Sequence, residues 1–201
     1  MPSEATTLNL IDRAPAKGLS LPFATPGSLK ARWLWDSSGG ALRGLLHFTG
    51  DEDLYSVGAD GANLADGIKI LTLPAGAWTP IRGRSYLTIK DSSTGAFAAG
   101  EIGVGTVQAS GAVAVLGGTG TFKDWMVGQA IAPIPTVTPT LQNLVGDATA
   151  GLTNVLSGSL DLYLNMAATF SAIGSAHKAV IASGSQLEIW FHGIGATPAK
   201  A

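Results

Sequence analysis

The sequence contains no cysteine and little charge of either sign. Without cysteine, no disulfide framework, thiolate metal site or cysteine nucleophile can form. Lys and Arg number 12 against 14 Asp and Glu, a net charge of -2, so the chain lacks the basic excess that dominates nucleic-acid binding. No stretch reaches the roughly 18 apolar residues of a membrane-spanning helix, and the N-terminus lacks the apolar core of a secretory signal. We therefore expect no nucleic-acid partner, no membrane insertion and no secretion.

The composition instead favours a folded protein with an uncharged surface. Hydrophobic residues make up 46% of the 201 residues, charged residues only 13%, and 27 residues are glycine. Small uncharged side chains cost little to desolvate, so such a surface suits contacts with other proteins. We expect self-association or assembly into a larger structure.

Apolar residues recur at every second position in several segments, as in half-buried β-strands. Leu160, Leu162, Leu164 and Met166 alternate with polar residues, and Ser37 to Gly40 is a turn signal between two apolar runs. About ten short strands at roughly 8–12-residue spacing are typical of an all-β sandwich or barrel. The pattern predicts a jelly-roll-like β-sandwich.

The domain organisation is predicted from proline and glycine. Residues 1–27 are expected to form an extended N-terminal arm, and residues 28–201 a single sandwich domain that includes a proline-rich strap at 131–139. Thr140 to Leu156 is the single helix candidate, although Gly146 and Gly151 weaken it. Such an arm can order on a partner. Its apolar anchors would be Leu8, Leu10, Ile11, Leu19 and Phe23.

Catalytic and metal-binding patterns are weak. His47, His177 and His192 show no metal-ligand spacing, and no serine lies in a nucleophile elbow. Turn acids Asp51, Asp53 and Asp60 could offer oxygen ligands to calcium but do not match an EF-hand loop. We therefore expect no enzyme activity and no cofactor, with calcium as a minor alternative.

The segment from Ala112 to Trp125 contains Gly-Gly-Thr-Gly-Thr-Phe. It resembles the GGTG-x-F motif of dirigent and allene-oxide-cyclase-like barrels. It departs from that motif at Trp125 and Met126, where small and basic residues usually stand. The resemblance implies a second interpretation, a small β-barrel that binds a ligand or catalyses a reaction. An interior cavity with convergent polar groups would distinguish it.

A longer succession of motifs spans residues 66–193. It comprises Leu-Thr-Leu-Pro-Ala-Gly-Ala at 71–77, Tyr-Leu-Thr-Ile at 86–89, Gly-Glu-Ile-Gly-Val-Gly-Thr at 100–106, Leu-Asp-Leu-Tyr-Leu-Asn-Met-Ala at 160–167, and a last strand ending at Trp190-Phe191. This order resembles β-rich virion accessory proteins of tailed bacteriophages, of the head decoration, cement or head-fibre type.

The resemblance implies a structural protein that is made in the cytoplasm of a bacterial host and binds the capsid exterior. Its expected partners are the major capsid protein and other copies of itself. We expect a homotrimer, because closed rings hide sheet edges and threefold positions are plentiful on icosahedral heads. The alternative within the same group is a tail or fibre module that binds carbohydrate through exposed Trp and Tyr side chains.

Overall fold

The computed structural model describes the strands and several of their connections. The described residues are 28–38, 41–57, 65–73, 76–91, 97–111, 116, 120–131, 138–142, 154–156, 159–170 and 177–194. Within these ranges the chain is all-β and contains no α-helix, which confirms the predicted fold class, a β-sandwich. The same ranges hold no helix that is long and apolar enough to cross a membrane.

Twelve strands are described. They are β1 (Ala31–Ser38), β2 (Ala41–Phe48), β3 (Glu52–Val57), β4 (Ala65–Leu73), β5 (Gly76–Asp91), β6 (Phe97–Gly105), β7 (Met126–Ile131), β8 (Thr138–Gln142), β9 (Asn154–Leu156), β10 (Leu160–Phe170), β11 (His177–Ile181) and β12 (Gln186–Ile194). A short 3-10 turn at Gly120–Phe122 precedes β7. All strand pairs are antiparallel.

The larger sheet has eight strands and is organised around β5, which is sixteen residues long. Ser85 and Tyr86 pair with β12 on one side and with β8 on the other, and Ile89 pairs with both β11 and β8. Because a strand residue has one neighbour on each side, β12 and β11 lie end to end along one edge of β5. The strands β8 and β9 lie along its opposite edge.

A turn at Ser183 and Gly184 joins β11 to β12 beside the end of β2. Gly184 adopts a positive φ of 88° in this turn, a conformation that glycine reaches without strain. Its N–H donates to the Phe48 carbonyl at 2.8 Å, and the Phe48 N–H donates to the Ser185 carbonyl at 3.0 Å. The Ser185 hydroxyl accepts a bond from the Thr88 N–H of β5 at 3.0 Å. These bonds join the turn between β11 and β12 to the end of β2 and to β5.

The smaller sheet has four strands in the order β4-β10-β6-β7, and its inner face packs on the larger sheet. A single cluster of buried side chains fills the space between the sheets and includes Leu46, Phe48, Ile70, Leu73, Trp78, Ile102, Trp125, Leu164, Met166, Ile189 and Phe191. The predicted period-two alternation in β10 is confirmed, because Leu162, Leu164 and Met166 are all buried. The turn signal at Ser37 to Gly40 is confirmed by the pairing of Ser38 with Ala41.

The outer face of the smaller sheet is covered by the chain that follows β6. Asn165 in the middle of β10 is fully buried. Its Nδ2 donates to the carbonyls of Val107 and Phe122 at 2.9 and 2.8 Å, and its Oδ1 accepts from the Ala109 N–H at 2.9 Å. One carboxamide therefore satisfies three main-chain groups of the covering segment.

The sequence-based prediction of a helix was wrong. The helix predicted from Thr140 to Leu156 is contradicted at both ends, because Thr138–Gln142 and Asn154–Leu156 are strands. Both segments complete hydrogen bonds along the free edge of β5, and that pairing outweighs a weak helical pattern containing two glycines.

The predicted arm, residues 1–27, lies outside the described residues, as does most of the predicted proline-rich strap. Within the strap, Ile131 ends β7, and Thr138 and Pro139 begin β8.

Candidate functional site

The outer face of the larger sheet carries most of the arginines of the chain. Strand pairing places residues in rows that run across β1, β2, β12 and β5. One row contains Arg32, His47, Gln186 and Tyr86, and another contains Asp36, Arg43, Trp190 and Arg82. Between these rows lies a third, of Leu34, Leu45, Glu188 and Arg84. Four of the five arginines in the sequence therefore project from one sheet face. We call the surface formed by Arg32, Arg43, Arg82, Arg84, Tyr86, Glu188 and Trp190 the arginine face.

Trp190 lies between two guanidinium groups. The Arg82 guanidinium carbon lies 4.4 Å from the centre of the indole ring, and that of Arg43 lies 5.5 Å from it. Both arginines come from neighbouring strands, β5 and β2, and pair in register with Trp190. A cation over an indole is attracted by the negative ring face, which holds the flexible arginine side chain in place.

Glu188 is a carboxylate within the arginine face. Its Oε2 lies 2.7 Å from Arg43 Nη2, and its Oε1 accepts a hydrogen bond from the Trp190 indole N–H. Burial raises the pKa of Glu188, but the bonds from Trp190 and Arg43 and the charges of Arg43 and Arg84 together lower it below its ordinary value. Glu188 is therefore held ionised and fixes both Arg43 and Trp190.

The outer face of the larger sheet also carries apolar residues. Leu34 and Leu45 are buried on this side of the sheet, at 7% and 9% exposure, and form their own small cluster. On β5, Tyr86 is half exposed. At Ile81 the pairing of β5 with β12 shifts register, which leaves Ile81 without an opposite residue, as in a β-bulge. Its side chain is 38% exposed next to Arg82.

The arginine face has a net positive charge on a net negative chain. Its four arginines stand against one carboxylate, that of Glu188, whereas the whole chain carries a net charge of -2. Arg32, Arg82 and Arg84 are exposed to solvent. Among the described residues, neither Arg82 nor Arg84 forms an ion pair. These two guanidinium groups are available to an anionic partner.

The residues predicted from sequence lie elsewhere or outside the described ranges. The arm anchors Leu8, Leu10, Ile11, Leu19 and Phe23 lie outside them, as does Asp60 of the calcium alternative.

Asp51 and Asp53 are exposed, and Asp51 Oδ1 accepts the Ser183 N–H at 2.9 Å. In the part of the chain that the structure describes, no group of three His, Asp or Glu side chains could hold a metal ion.

The histidines are not brought together at one point. His47 lies on β2 and pairs with Gln186, the first residue of β12. His192 lies near the other end of β12, and His177 begins β11. The motif shared with dirigent-like barrels is described only in part. Its Phe122 is buried in a small cluster with Ala65, Ala109, Leu116 and Ala167 on the covered face of the smaller sheet.

The tryptophans are mostly packing residues. Trp33, Trp78 and Trp125 are buried, and Trp35 stacks on Trp33 with ring centres 5.0 Å apart. Trp190 is partly exposed, but the Arg82 guanidinium lies over its ring.

The sequence analysis does not predict the arginine face, because the residues that pair within it are far apart in the chain. Arg43 and Glu188 are separated by 145 residues. A usable signal was present, since Arg32, Arg43, Arg82, Arg84 and Trp190 all occupy the polar positions of alternating strand patterns.

Comparisons with known proteins give no relative. No protein-family model, no curated protein and no solved structure matches this chain.

Proposed function

We propose that this chain is a non-catalytic binding module that attaches to the exterior of an assembled bacteriophage head and reinforces it. The partner is the major capsid protein, and the arginine face is a contact surface. The proposal joins the resemblance of residues 66–193 to phage virion proteins with the low charge of the chain, 13% of residues. The observation that carries it is the composition and exposure of the arginine face.

The arginine face has the residue types that dominate protein interfaces. Arg, Tyr and Trp are enriched at the positions that contribute most binding energy, and here they lie together on one rigid sheet. Arg82 and Tyr86 are exposed on β5, while Leu34 and Leu45 of the same sheet face are buried on β1 and β2. A partner surface can therefore contact an Arg82 guanidinium that the Trp190 ring already orders, at a small entropic cost.

The buried polar side chains of the sandwich support a structural role. Ser85, Asn165 and Ser185 are the buried polar side chains among the described residues. Asn165 bonds the segment that covers the smaller sheet, and Ser185 bonds the main chain of β5. The dirigent-like alternative needs polar groups that converge in a cavity, and these two side chains instead hold the main chain.

The carbohydrate-binding alternative is less well supported. Stacking of a sugar needs an open aromatic face with polar neighbours. On the arginine face that role falls to Tyr86, because a sugar on Trp190 would displace the Arg82 guanidinium that lies over the ring.

Cosedimentation with purified phage heads that lack this protein tests the proposal. We expect the wild-type chain to sediment with heads and the R82Q/R84Q variant to bind at least about tenfold more weakly, because two charge-assisted contacts are lost. The matched control K30Q/K69Q removes the same charge from other surfaces and should bind like the wild type. Failure of the wild-type chain to sediment with heads would refute head attachment.

A deletion of residues 1–26 tests the predicted arm separately. If the arm is the anchor, the deletion abolishes sedimentation with heads while the far-ultraviolet circular dichroism of the sandwich stays unchanged. Equal binding by the truncated chain would remove the arm from the mechanism.

A further inference from the structure

Resting on the proposed function, we propose that the arginine face binds an extended acidic segment of a protein, with carboxylates at alternate positions that pair with Arg82 and Arg84. The ligand class is a polypeptide carboxylate rather than a nucleic-acid phosphate or a sugar.

The spacing of the two arginines sets the spacing of the partner's charges. Arg82 and Arg84 lie two residues apart on β5 and project from the same side, so their Cα atoms are separated by about 6.8 Å. An extended partner segment repeats its side chains at the same interval. Carboxylates at every second position therefore meet both guanidinium groups without bending either chain.

The guanidinium groups are prepared for carboxylates. Arg82 is held over the Trp190 ring at 4.4 Å, and Arg84 lies near the ionised Glu188 without forming an ion pair with it. A guanidinium presents parallel N–H donors that match the two oxygens of a carboxylate. Stacking on the ring leaves the edge of the Arg82 guanidinium, which carries these donors, available for a ligand.

The surroundings of the arginines favour a protein over a nucleic acid. A phosphate backbone requires a run of uncompensated positive charge, whereas this face contains Glu188 and belongs to a chain of net charge -2. Ile81 and Tyr86, at 38% and 50% exposure, flank the arginines on β5. These apolar groups can contact the aliphatic parts of the peptide side chains that face the sheet on either side of the two carboxylates.

Fluorescence anisotropy with synthetic peptides tests the inference. The probe is a labelled peptide of about twelve residues with glutamate at every second position and threonine between. The comparison peptide has the same composition, with all glutamates in one block and all threonines in another. We expect the alternating peptide to bind the full chain several-fold more tightly than the block peptide, and an oligothymidylate of equal charge to bind more weakly than both.

Variants of the chain test whether the peptide binds to the arginine face. R82Q/R84Q should weaken binding of the alternating peptide by at least about tenfold, while K30Q/K69Q should change it by less than about twofold. No binding of the alternating peptide, equal binding of the block peptide, tighter binding of the oligothymidylate or insensitivity to R82Q/R84Q would each overturn the inference.

Peptide binding and sedimentation with phage heads test the two proposals separately. If the wild-type chain and R82Q/R84Q sediment equally with heads and the alternating peptide does not bind, head attachment stands and the carboxylate inference fails. If the alternating peptide binds through Arg82 and Arg84 but the wild-type chain does not sediment with heads, the inference stands and the head is the wrong partner.

Discussion

Gly67 and Asn165 face each other in register across β4 and β10, and the Asn165 carboxamide occupies the space that a side chain at position 67 would need. Gly67 is required here because of this close approach. The absence of a side chain lets Asn165 turn toward the segment that covers the smaller sheet. The two residues therefore act as one structural unit.

We expect Asn165→Ala to lower the free energy of unfolding by about 3 kcal/mol, because two buried main-chain groups and one partly buried one lose their partner. Gly67→Ala should cost about 2 kcal/mol by displacing the carboxamide. In the Asn165→Ala background the same glycine substitution should cost much less. Urea unfolding of the two single variants and the double variant measures this coupling.

Gly50→Ala is the matched control. The nearest atom to an added Cβ at this position is Lys30 Cβ at 3.4 Å, an ordinary contact, so the expected change is under about 0.5 kcal/mol. Additive costs of Gly67→Ala and Asn165→Ala would contradict the proposed coupling.

Gly44→Ala should disturb the stacked indoles of Trp33 and Trp35. An added Cβ would lie 2.8 Å from Trp33 Cζ3, closer than a Cβ approaches a non-bonded carbon atom, and a buried ring cannot swing away. We expect a loss of about 1–3 kcal/mol in unfolding free energy. The near-ultraviolet circular dichroism of the pair, whose ring centres lie 5.0 Å apart, should change as well. An unchanged spectrum would show that the rings tolerate the methyl group.

Glu188→Gln should change how stability depends on acidity. The pKa of Glu188 is lower in the folded chain than its ordinary 4.5, so its ionisation stabilises the fold above pH 4.5. That contribution is lost as the pH falls through the lowered pKa. The difference in unfolding free energy between the wild type and the variant should therefore be largest above pH 4.5 and shrink below it, as urea titrations at successive pH values would measure. A difference that does not vary with pH would contradict this.

The contribution of Asp124 to stability should depend on pH in the opposite sense. Burial raises its pKa above the ordinary 3.8, although it accepts bonds from the Thr106 N–H and hydroxyl. The folded chain therefore holds a proton on Asp124 at pH values where the unfolded chain has lost it. Relative to Asp124→Asn, the wild type should be most stable below pH 3.8 and should lose that advantage as the pH rises through the raised pKa. The same titrations measure it, and a trend parallel to that of Glu188→Gln would contradict the assignment.

We expect the chain to form a homotrimer in solution. The strand β1 pairs with β2 alone, and β7 pairs with β6 alone among the described strands, so each sheet has an edge strand that a neighbouring copy can cover. Light scattering coupled to size exclusion should give about three times the chain mass of 20.4 kDa. A monomer at micromolar concentration would contradict the prediction.

The sequence predicts the strands well because alternation is a local property. The buried residues of β12 follow a period of two, Leu162, Leu164 and Met166 of β10 join the core between the sheets, and the β1–β2 hairpin follows its turn signal. The burial of Asn165 was not predictable, since its position in β10 marks it as an outward polar residue. A segment more than forty residues earlier in the chain covers it.

The arginine face depends on strand register over even longer separations. The alternation of Arg82 and Arg84 marks both as outward, yet nothing local indicates that β12 would place Trp190 beside Arg82 and Arg43. The helix predicted at Thr140 to Leu156 failed for a related reason. Leu141 pairs with Tyr86, so a distant strand edge determined its conformation.

The central place of β12 has a consequence for how the protein folds during synthesis. β12 follows all other described strands in the chain, yet it lies between β2 and β5, which are made far earlier. Until it is translated, both strands expose unpaired edges to neighbouring nascent chains. Slow closure of a sheet from such distant strands makes aggregation the main competitor of folding. Translation that stalls between β5 and β12 would leave an aggregation-prone intermediate rather than a smaller stable domain.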